Sequence, residues 1–427
     1  MHHFQLETRT ITPLFSKGLN RRGNDFQFEL LPQSVKGTLR FWFRALLPNV
    51  IDIHRYGETK KPYLGMKKAE EVVFGSTQRR SAFDLMVEYD AGAVKKLGEF
   101  RPNKRGQQKF SSSLFGTYSG AGHASYGMAP SNFGDPISSY LSPNSEISFQ
   151  FVLKSQPNPE VWEEFLTGLF RVVCHVGGLG AKSRNGYGSL ELTNTQGGMQ
   201  RKPPEIIADF RNTLSPLLSD FGGFHFQPTS LGGVPEFPVL EEKSLYMIKN
   251  LQVQGWLKGM NNFFDSHLDM NDQKKYRGFY AKMKTKALRE LNGEDCVQTV
   301  RSALFDHGVS PNAFEHSVFG PSILGLPLLY QGIGSDSNHV GRGIATLKNA
   351  EGRKASPLHF TFHESRRTGN MILVMLLLPS QITAKRNQAG QPLLTLEAGN
   401  RSFSVLGNED FEGLQQIIRD TTLEVEA

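Results

Sequence analysis

The chain has 427 residues, with 48 Lys and Arg against 41 Asp and Glu and a formal charge of +7. That length is a prior for two or three domains and allows a sizeable core without covalent staples. With 38% hydrophobic and 21% charged residues, a disordered or coiled-coil chain is excluded. In chain order, alternation predicts a first strand over Phe4 to Arg9. Ser34 reads as the N-cap of a helix through VKGTLRFWFRAL, with Val35, Leu39, Trp42, Phe43 and Leu46 on its apolar face. Strands follow over Phe83 to Tyr89 and Glu146 to Leu153. Pro159 opens a helix through VWEEFLTGLFRVVCHV, and Gly188 to Leu192 is a last short strand. The order strand, helix, strand, strand, helix, strand is that of the split βαβ, or ferredoxin-like, unit.

The second half repeats parts of the first. KKAEEVVFG (67–75) and NAFEHSVFG (312–320) coincide at four of nine positions. Each precedes a basic pair and a strand, in RRSAFDLMVEY (79–89) and RKASPLHFTF (353–362), and the second spacer holds GIGSDSNHVGRG. A strand from Asn370 to Leu378, a helix from Glu409 to Arg419 and a possible strand complete it, with a helix-rich stretch from Trp256 to Phe305 inserted or early. The expected fold class is α+β, two ferredoxin-like domains with insertions, divided as 1–200 and 201–427.

Charge and glycine are unevenly placed. Between Ser16 and Arg80 thirteen basic and six acidic residues give an excess equal to that of the whole chain. A second basic stretch, Lys95, Lys96, Arg101, Lys104, Arg105 and Lys109, is opposed only by Glu99. Such a footprint suits a polyanion, most simply nucleic acid, and equally a solvated face kept for solubility. Residues 111–135, with almost no charge, read as a long loop. GGLGAKSRNGYG (177–188) holds five glycines with Lys182 and Arg184 and no acid. Glycines admit close backbone approach, so Gly178 and Gly180 are candidates to cradle phosphate, with the two cations supplying charge. The spacing fits neither a nucleotide P-loop nor a dinucleotide fingerprint. The bland reading is a turn joining helix to strand.

Lys36, Arg40 and Arg44 recur every fourth residue and so form one helical stripe, either for successive phosphates or a solvated face paired with Glu70 or Glu71. Tyr187, Tyr118 and Tyr126 could stack on bases or anchor loops. Catalytic patterns are thin: no HExxH, GxSxG or dense acidic cluster occurs. His359 and His363 share one strand without an accompanying carboxylate and read as structural. His54 and His123 could act as a general base on a ribose 2′-hydroxyl, a metal-free chemistry. Cys174 and Cys296 form no CxxC pair, which excludes a disulfide scaffold and fits a reducing cytoplasm. No export signal is visible, and the longest apolar run, Met371 to Leu378, is too short to span a bilayer.

The runs ITPLFSKG (11–18), ELLPQSVKGTLRFWFRAL (29–46), EEVVFGSTQRRSAF (70–83) and GGLGAKSRNGYGSLEL (177–192), in that order, resemble the first Cmr subunits of type III-B CRISPR effector complexes, within the RAMP superfamily. The likeness continues more sparsely through FGPSILGLP (319–327) and RKASPLHFTF. It implies two ferredoxin-like domains akin to the RNA recognition motif. It also implies a binding role, without cofactor or catalysis, at the end of a backbone filament near the 3′ end of a guide RNA. The implied partners are CRISPR guide RNA, target single-stranded RNA and a neighbouring RAMP subunit. Lys36, Arg40, Arg44, Lys182 and Arg184 are the implied RNA contacts, and Arg79 and Arg80 match the family's basic doublet; Arg21 and Arg22 join them as candidates. The second half has no convincing copy of the glycine-rich turn, which puts RNA contact there in doubt. The alternative reading is a metal-independent RAMP endoribonuclease that processes precursor guide RNA, and a third is a scaffold touching protein alone.

Overall fold

The computed structural model describes residues 2–22, 25–112, 114, 120–124, 128–130, 133, 135, 137–154, 156, 158–193, 201–264, 278–291, 296–306, 308–310, 312–324, 328–333, 343–351 and 355–426. The chain divides by packing into two units, each discontinuous in sequence. The first comprises Met1–Leu231, Val239–His267 and His359–Leu376; the second comprises Gly232–Pro238, Leu268–Leu358 and Leu377–Ala427.

The main elements of the first unit up to residue 264 are β1 (His3–Thr10), α1 (Pro32–Leu46), α2 (Leu64–Phe74), β2 (Phe83–Tyr89), β3 (Glu146–Leu153), α3 (Pro159–Val176), β4 (Leu190–Leu192), α4 (Pro203–Ser219), β5 (Tyr246–Gln254) and α5 (Trp256–Phe264). Strands β1 to β4 form one antiparallel sheet in the order β4-β1-β3-β2. Its register places Phe4 beside Phe151 and Leu6 beside Phe149 on the core face. Period-two alternation therefore sends Gln5, Glu7, Arg9, Asp84, Met86, Glu88, Glu146, Ser148 and Gln150 to the other face. With Glu191 of β4, paired opposite Arg9, that face carries five carboxylates and no phenylalanine, tyrosine or tryptophan among the described residues.

Helix α1 buries Val35, Leu39, Trp42, Phe43 and Leu46 as its spacing predicts, but Ser34 is not its cap. Pro32 starts the helix, because its fixed φ suits the first turn, and Leu31 stands at the N-cap without a side-chain hydrogen bond. In α3, Pro159 occupies the first turn, Glu160 complements the helix dipole there and Gly177 ends the helix.

The expected boundary at 200/201 falls inside the first unit. Helix α4 buries Ile206, Phe210, Leu214 and Leu217, with the Phe210 ring 5.9 Å from both Phe43 and Phe165, so it belongs to the core of what precedes it. Strands near the C-terminus also return to this unit, as described below.

The remaining elements are α6 (Phe279–Glu290), α7 (Cys296–Phe305), β6 (Val318–Phe319), β7 (Leu328–Ile333), β8 (Gly343–Lys348), β9 (Leu358–Glu364), β10 (Asn370–Leu377), β11 (Leu393–Ala398), β12 (Arg401–Gly407) and α8 (Phe411–Glu426). In the second unit a five-stranded sheet runs β6-β12-β11-β8-β7. Cys296, Val300 and Ala303 of α7 share a core with Leu347, Leu396, Phe403 and Val405 of that sheet. Strands β9 and β10 pair instead within the three-stranded sheet β5-β10-β9 of the first unit.

The proposed repeat is not a structural one. Residues 67–75 lie in and just after α2, where Ala69, Val72 and Val73 are buried at helical spacing. Residues 312–316 are turns, followed by the two-residue strand β6. Four shared letters do not override tertiary context. The stretch 111–135 is not wholly loop either, since Ser111 and Ser112 end a strand and Gly120–Ala124 is a short helix. Tyr118, Tyr126, most of the GIGSDSNHVGRG spacer and the Arg353–Lys354 pair lie outside the described residues.

Candidate nucleic-acid interface

The glycine-rich turn is an internal joint. Gly180 has φ +80 and a Cβ there would sit 2.1 Å from the Phe15 carbonyl oxygen; at Gly188, with φ +64, it would sit 1.9 Å from that of Leu179. These two glycines allow backbone to pack on backbone, and their requirement is folding rather than ligand approach. Gly178 is buried between the same turns. Tyr187 is fully buried, edge-on to Phe15, and its hydroxyl donates to the Ala121 carbonyl at 2.7 Å. It cannot stack on a base, so that role is corrected to the loop anchor. Replacing Tyr187 by Phe should cost about 1–2 kcal/mol in urea unfolding, because the Ala121 carbonyl loses a buried donor, with RNA affinity unchanged.

The outer side of the turn is joined to β9: the Phe360 N–H donates to the Arg184 carbonyl at 2.9 Å, and Thr361 donates to the Gly177 carbonyl. The Arg184 guanidinium lies 5.3 Å from the Phe41 ring centroid, a cation–π arrangement that fixes it. Burial lowers its pKa from the ordinary arginine value. Lys182 is partly exposed with a left-handed φ of 64.

A groove of about 240 Å³ opens where this turn meets α1, lined by Ser34, Gly37, Thr38, Phe41, Trp42, Gly177, Gly178, Ser183, Arg184 and His359. Among the described residues it offers hydroxyls, glycine backbone, an aromatic wall and one cation, and no carboxylate lines it. His359 is buried between Phe41 and Trp42, and burial together with Arg184 holds its pKa well below the ordinary imidazole value, so the ring is neutral.

Helix α1 thus reaches the turn, but not through the stripe expected to do so. At 3.6 residues per turn, Lys36, Arg40 and Arg44 lie roughly a third of a turn away from Ser34, Gly37, Thr38 and Phe41. Lys36 donates to the Phe83 carbonyl at 2.8 Å and sits over the Phe83 ring, and burial lowers its pKa. Arg44 grips Glu70 of α2 through two nitrogens, and that hydrogen bonding raises its pKa. Arg40 stacks on Phe74 and lies 4.0 Å from the same carboxylate. The stripe is therefore a structural seam between α1, α2 and β2. Spacing alone could not separate this from a phosphate track, because the deciding partner, Glu70, lies twenty-six residues after Arg44.

Arg79 and Arg80 are exposed in the turn after α2, Arg79 with its guanidinium 4.7 Å from the Phe221 ring centroid. Arg21 and Arg22 end the first strand of a hairpin, Lys17–Arg22 with Asp25–Phe28, and their side chains lie outside the described set. The second basic stretch surrounds a hairpin of Gly98–Pro102 and Gln108–Ser112, on which Arg101, Lys104, Arg105 and Lys109 are exposed. The His54 Nδ1 accepts the Tyr63 backbone N–H at 3.1 Å, while the side chain of His123 is not among those described. Among the described residues no cluster of three His, Cys, Asp or Glu side chains is placed to hold a metal ion, and no helix is long and apolar enough to cross a membrane.

The groove residues that sequence reasoning missed are Gly37, Thr38, Phe41 and Ser183. Gly37 carried a signal: it is a glycine in a helix interior whose Cβ would meet nothing within 4 Å, so packing does not require it.

Residues 7–191 match the family model described as the RAMP superfamily. This segment resembles the RAMP superfamily over 185 of the chain's 427 residues. The RAMP segment contains α1, the four-stranded sheet apart from its first and last few positions, and the whole glycine-rich turn. The likeness to the first Cmr subunit is present among curated proteins as well. The chain is 30% identical over 236 residues to the CRISPR system Cmr subunit Cmr1-1 of Pyrococcus furiosus, covering 55% of this chain and 53% of that protein. It is 33% identical over 101 residues to Cmr1-2 of the same organism, covering 24% of this chain and 46% of that one. The matches thus span about half the length of these curated relatives. A crystal structure of Cmr1 from Pyrococcus furiosus in its apo form aligns with a TM-score of 0.47 at 14% identity, over 98% of this chain and 97% of that one. The RAMP segment ends before α4, β5, β9 and β10, which complete the same packed unit.

Proposed function

We propose that this chain is a non-catalytic RNA-binding subunit of a type III-B CRISPR (Cmr) RNA-guided effector complex. In this reading it contacts the guide RNA 3′ region, the target RNA or both, beside a neighbouring RAMP subunit at the end of the backbone filament. The observation that carries it is the carboxylate-free groove between α1 and the glycine-rich turn, with Arg184 fixed at its wall. Hydroxyls and backbone suit phosphate and ribose, and one oriented guanidinium supplies charge. The outer face of the four-stranded sheet, with its five carboxylates, disfavours phosphate and lacks the aromatic rings by which RNA recognition motifs stack bases.

The order β4-β1-β3-β2 supports reading the RAMP segment as one ferredoxin-like domain. We read β5, α5, β9 and β10 as a diverged second copy, since β5-β10-β9 is the same order without its fourth strand, and residues 268–357 as an insertion in it.

Titrating the chain with single-stranded RNA at several salt concentrations tests the site. Arg184→Ala should reduce the slope of log K against log salt by about 0.7, the value of one phosphate contact on a single strand. Arg44→Ala should leave the slope unchanged, because its charge is committed to Glu70. The opposite pattern would return the interface to the helical stripe. Incubation with repeat RNA in EDTA should give no product; cleavage ending in a 2′,3′-cyclic phosphate would replace this reading by the endoribonuclease.

A further inference from the structure

The first unit has a second concavity, of about 610 Å³, that shares no lining residue with the groove. It lies between α3 and α4 with β4 at its base, and its apolar walls include Val172, Leu192, Ile206 and Phe210. Two of its three arginines are neutralised within the protein: Arg201 pairs with Asp209, and Arg366 with Glu191 at 2.7 Å. Arg171 lines the same cleft and has no hydrogen bond or ion pair with any described residue. One turn earlier, on the same side of α3, stands Gly168. A Cβ at Gly168 would meet nothing within 4 Å, so no packing contact demands a glycine in this helix interior, where glycine carries a conformational cost. Its effect is to keep the cleft open beside the uncompensated guanidinium.

Apolar walls, a volume inside the roughly 300–1,000 Å³ range of small-molecule sites and a guanidinium without a described protein partner are the makings of a ligand pocket. Glu164, Glu191 and Asp209 also line it, which disfavours a polyanionic strand and separates this cleft from the RNA groove. We infer that the cleft binds a small organic anion, a carboxylate or phosphate monoester carried on a flat apolar body. The anionic group meets Arg171, whose five N–H donors suit either oxyanion, and the body lies against Phe210 and Ile206.

Calorimetric titration of the full chain with 1-naphthoate and, separately, with phenyl phosphate tests this. Saturable one-to-one binding of at least one is expected, and which of them binds tells carboxylate from phosphate. Arg171→Ala should weaken it at least tenfold. Gly168→Leu should abolish it, since the new side chain enters the cleft, with the circular dichroism spectrum and RNA affinity both retained. No saturable binding of either compound, binding that either variant leaves intact, or a parallel loss of RNA affinity would each overturn the inference. Because RNA affinity is read in the same samples, failure of this site is distinguishable from failure of the RNA reading.

Discussion

Gly37→Leu is expected to lower affinity for single-stranded RNA at least about tenfold, or 1.4 kcal/mol, while leaving the protein folded. A Cβ at Gly37 meets no atom within 4 Å, so the substitution has room, and that room is the groove itself. Gly37→Ala serves as the control. It should raise stability by about 0.5–1 kcal/mol through the helix preference of alanine, with a smaller effect on RNA. Filter binding on both variants, with urea melts on the same preparations, decides the matter. Unchanged RNA affinity in the leucine variant would mean that the groove is not where RNA lies.

The second large effect is acid lability. His175 is 8% exposed, its Nε2 lies 2.9 Å from the Arg201 carbonyl and 2.8 Å from the Tyr246 hydroxyl, and its ring is 5.9 Å from that of His363. A carbonyl can only accept, so Nε2 carries the proton and Nδ1 is bare. Burial foremost, with His363 and Arg201 nearby, pushes the His175 pKa down to about 4. The folded protein therefore refuses a proton that the unfolded chain takes up near pH 6.5. The stabilisation is complete above about pH 6.5 and is lost as pH falls toward 4, an interval worth about 3 kcal/mol for this one ring. Buried His363 adds in the same direction. Urea midpoints measured from pH 7.5 to 4 should fall more steeply for the native chain than for His175→Asn, which cannot titrate. Parallel curves would mean that the imidazole is solvated or charged in the folded state.

How much of this was legible in the sequence depends on how local each signal is. Strands β2 and β3 and helix α3 match the expected bounds residue for residue, since alternation and a proline in the first turn act within a few positions. The basic stripe failed for the opposite reason. Its spacing is real, yet a carboxylate on a different helix consumes its charge, and only packing brings Glu70 to Arg40 and Arg44. Glycine density was a true signal with an ambiguous meaning: Gly180 and Gly188 serve close backbone packing, whereas Gly37, isolated in a helix, lines the groove. The domain boundary was hidden because strands 358–364 and 370–377 rejoin a unit that the chain had left at residue 267.

That return delays completion of the first unit until late in synthesis. Emerging from the ribosome, the chain completes the RAMP segment near residue 191, but the strand that seals the glycine-rich turn is some 170 residues behind it. Until Phe360 and Thr361 arrive, the carbonyls of Arg184 and Gly177 lack their donors and the flank of the turn stays wet. A product stopping short of residue 360 therefore leaves that flank of the turn without its hydrogen-bond donors.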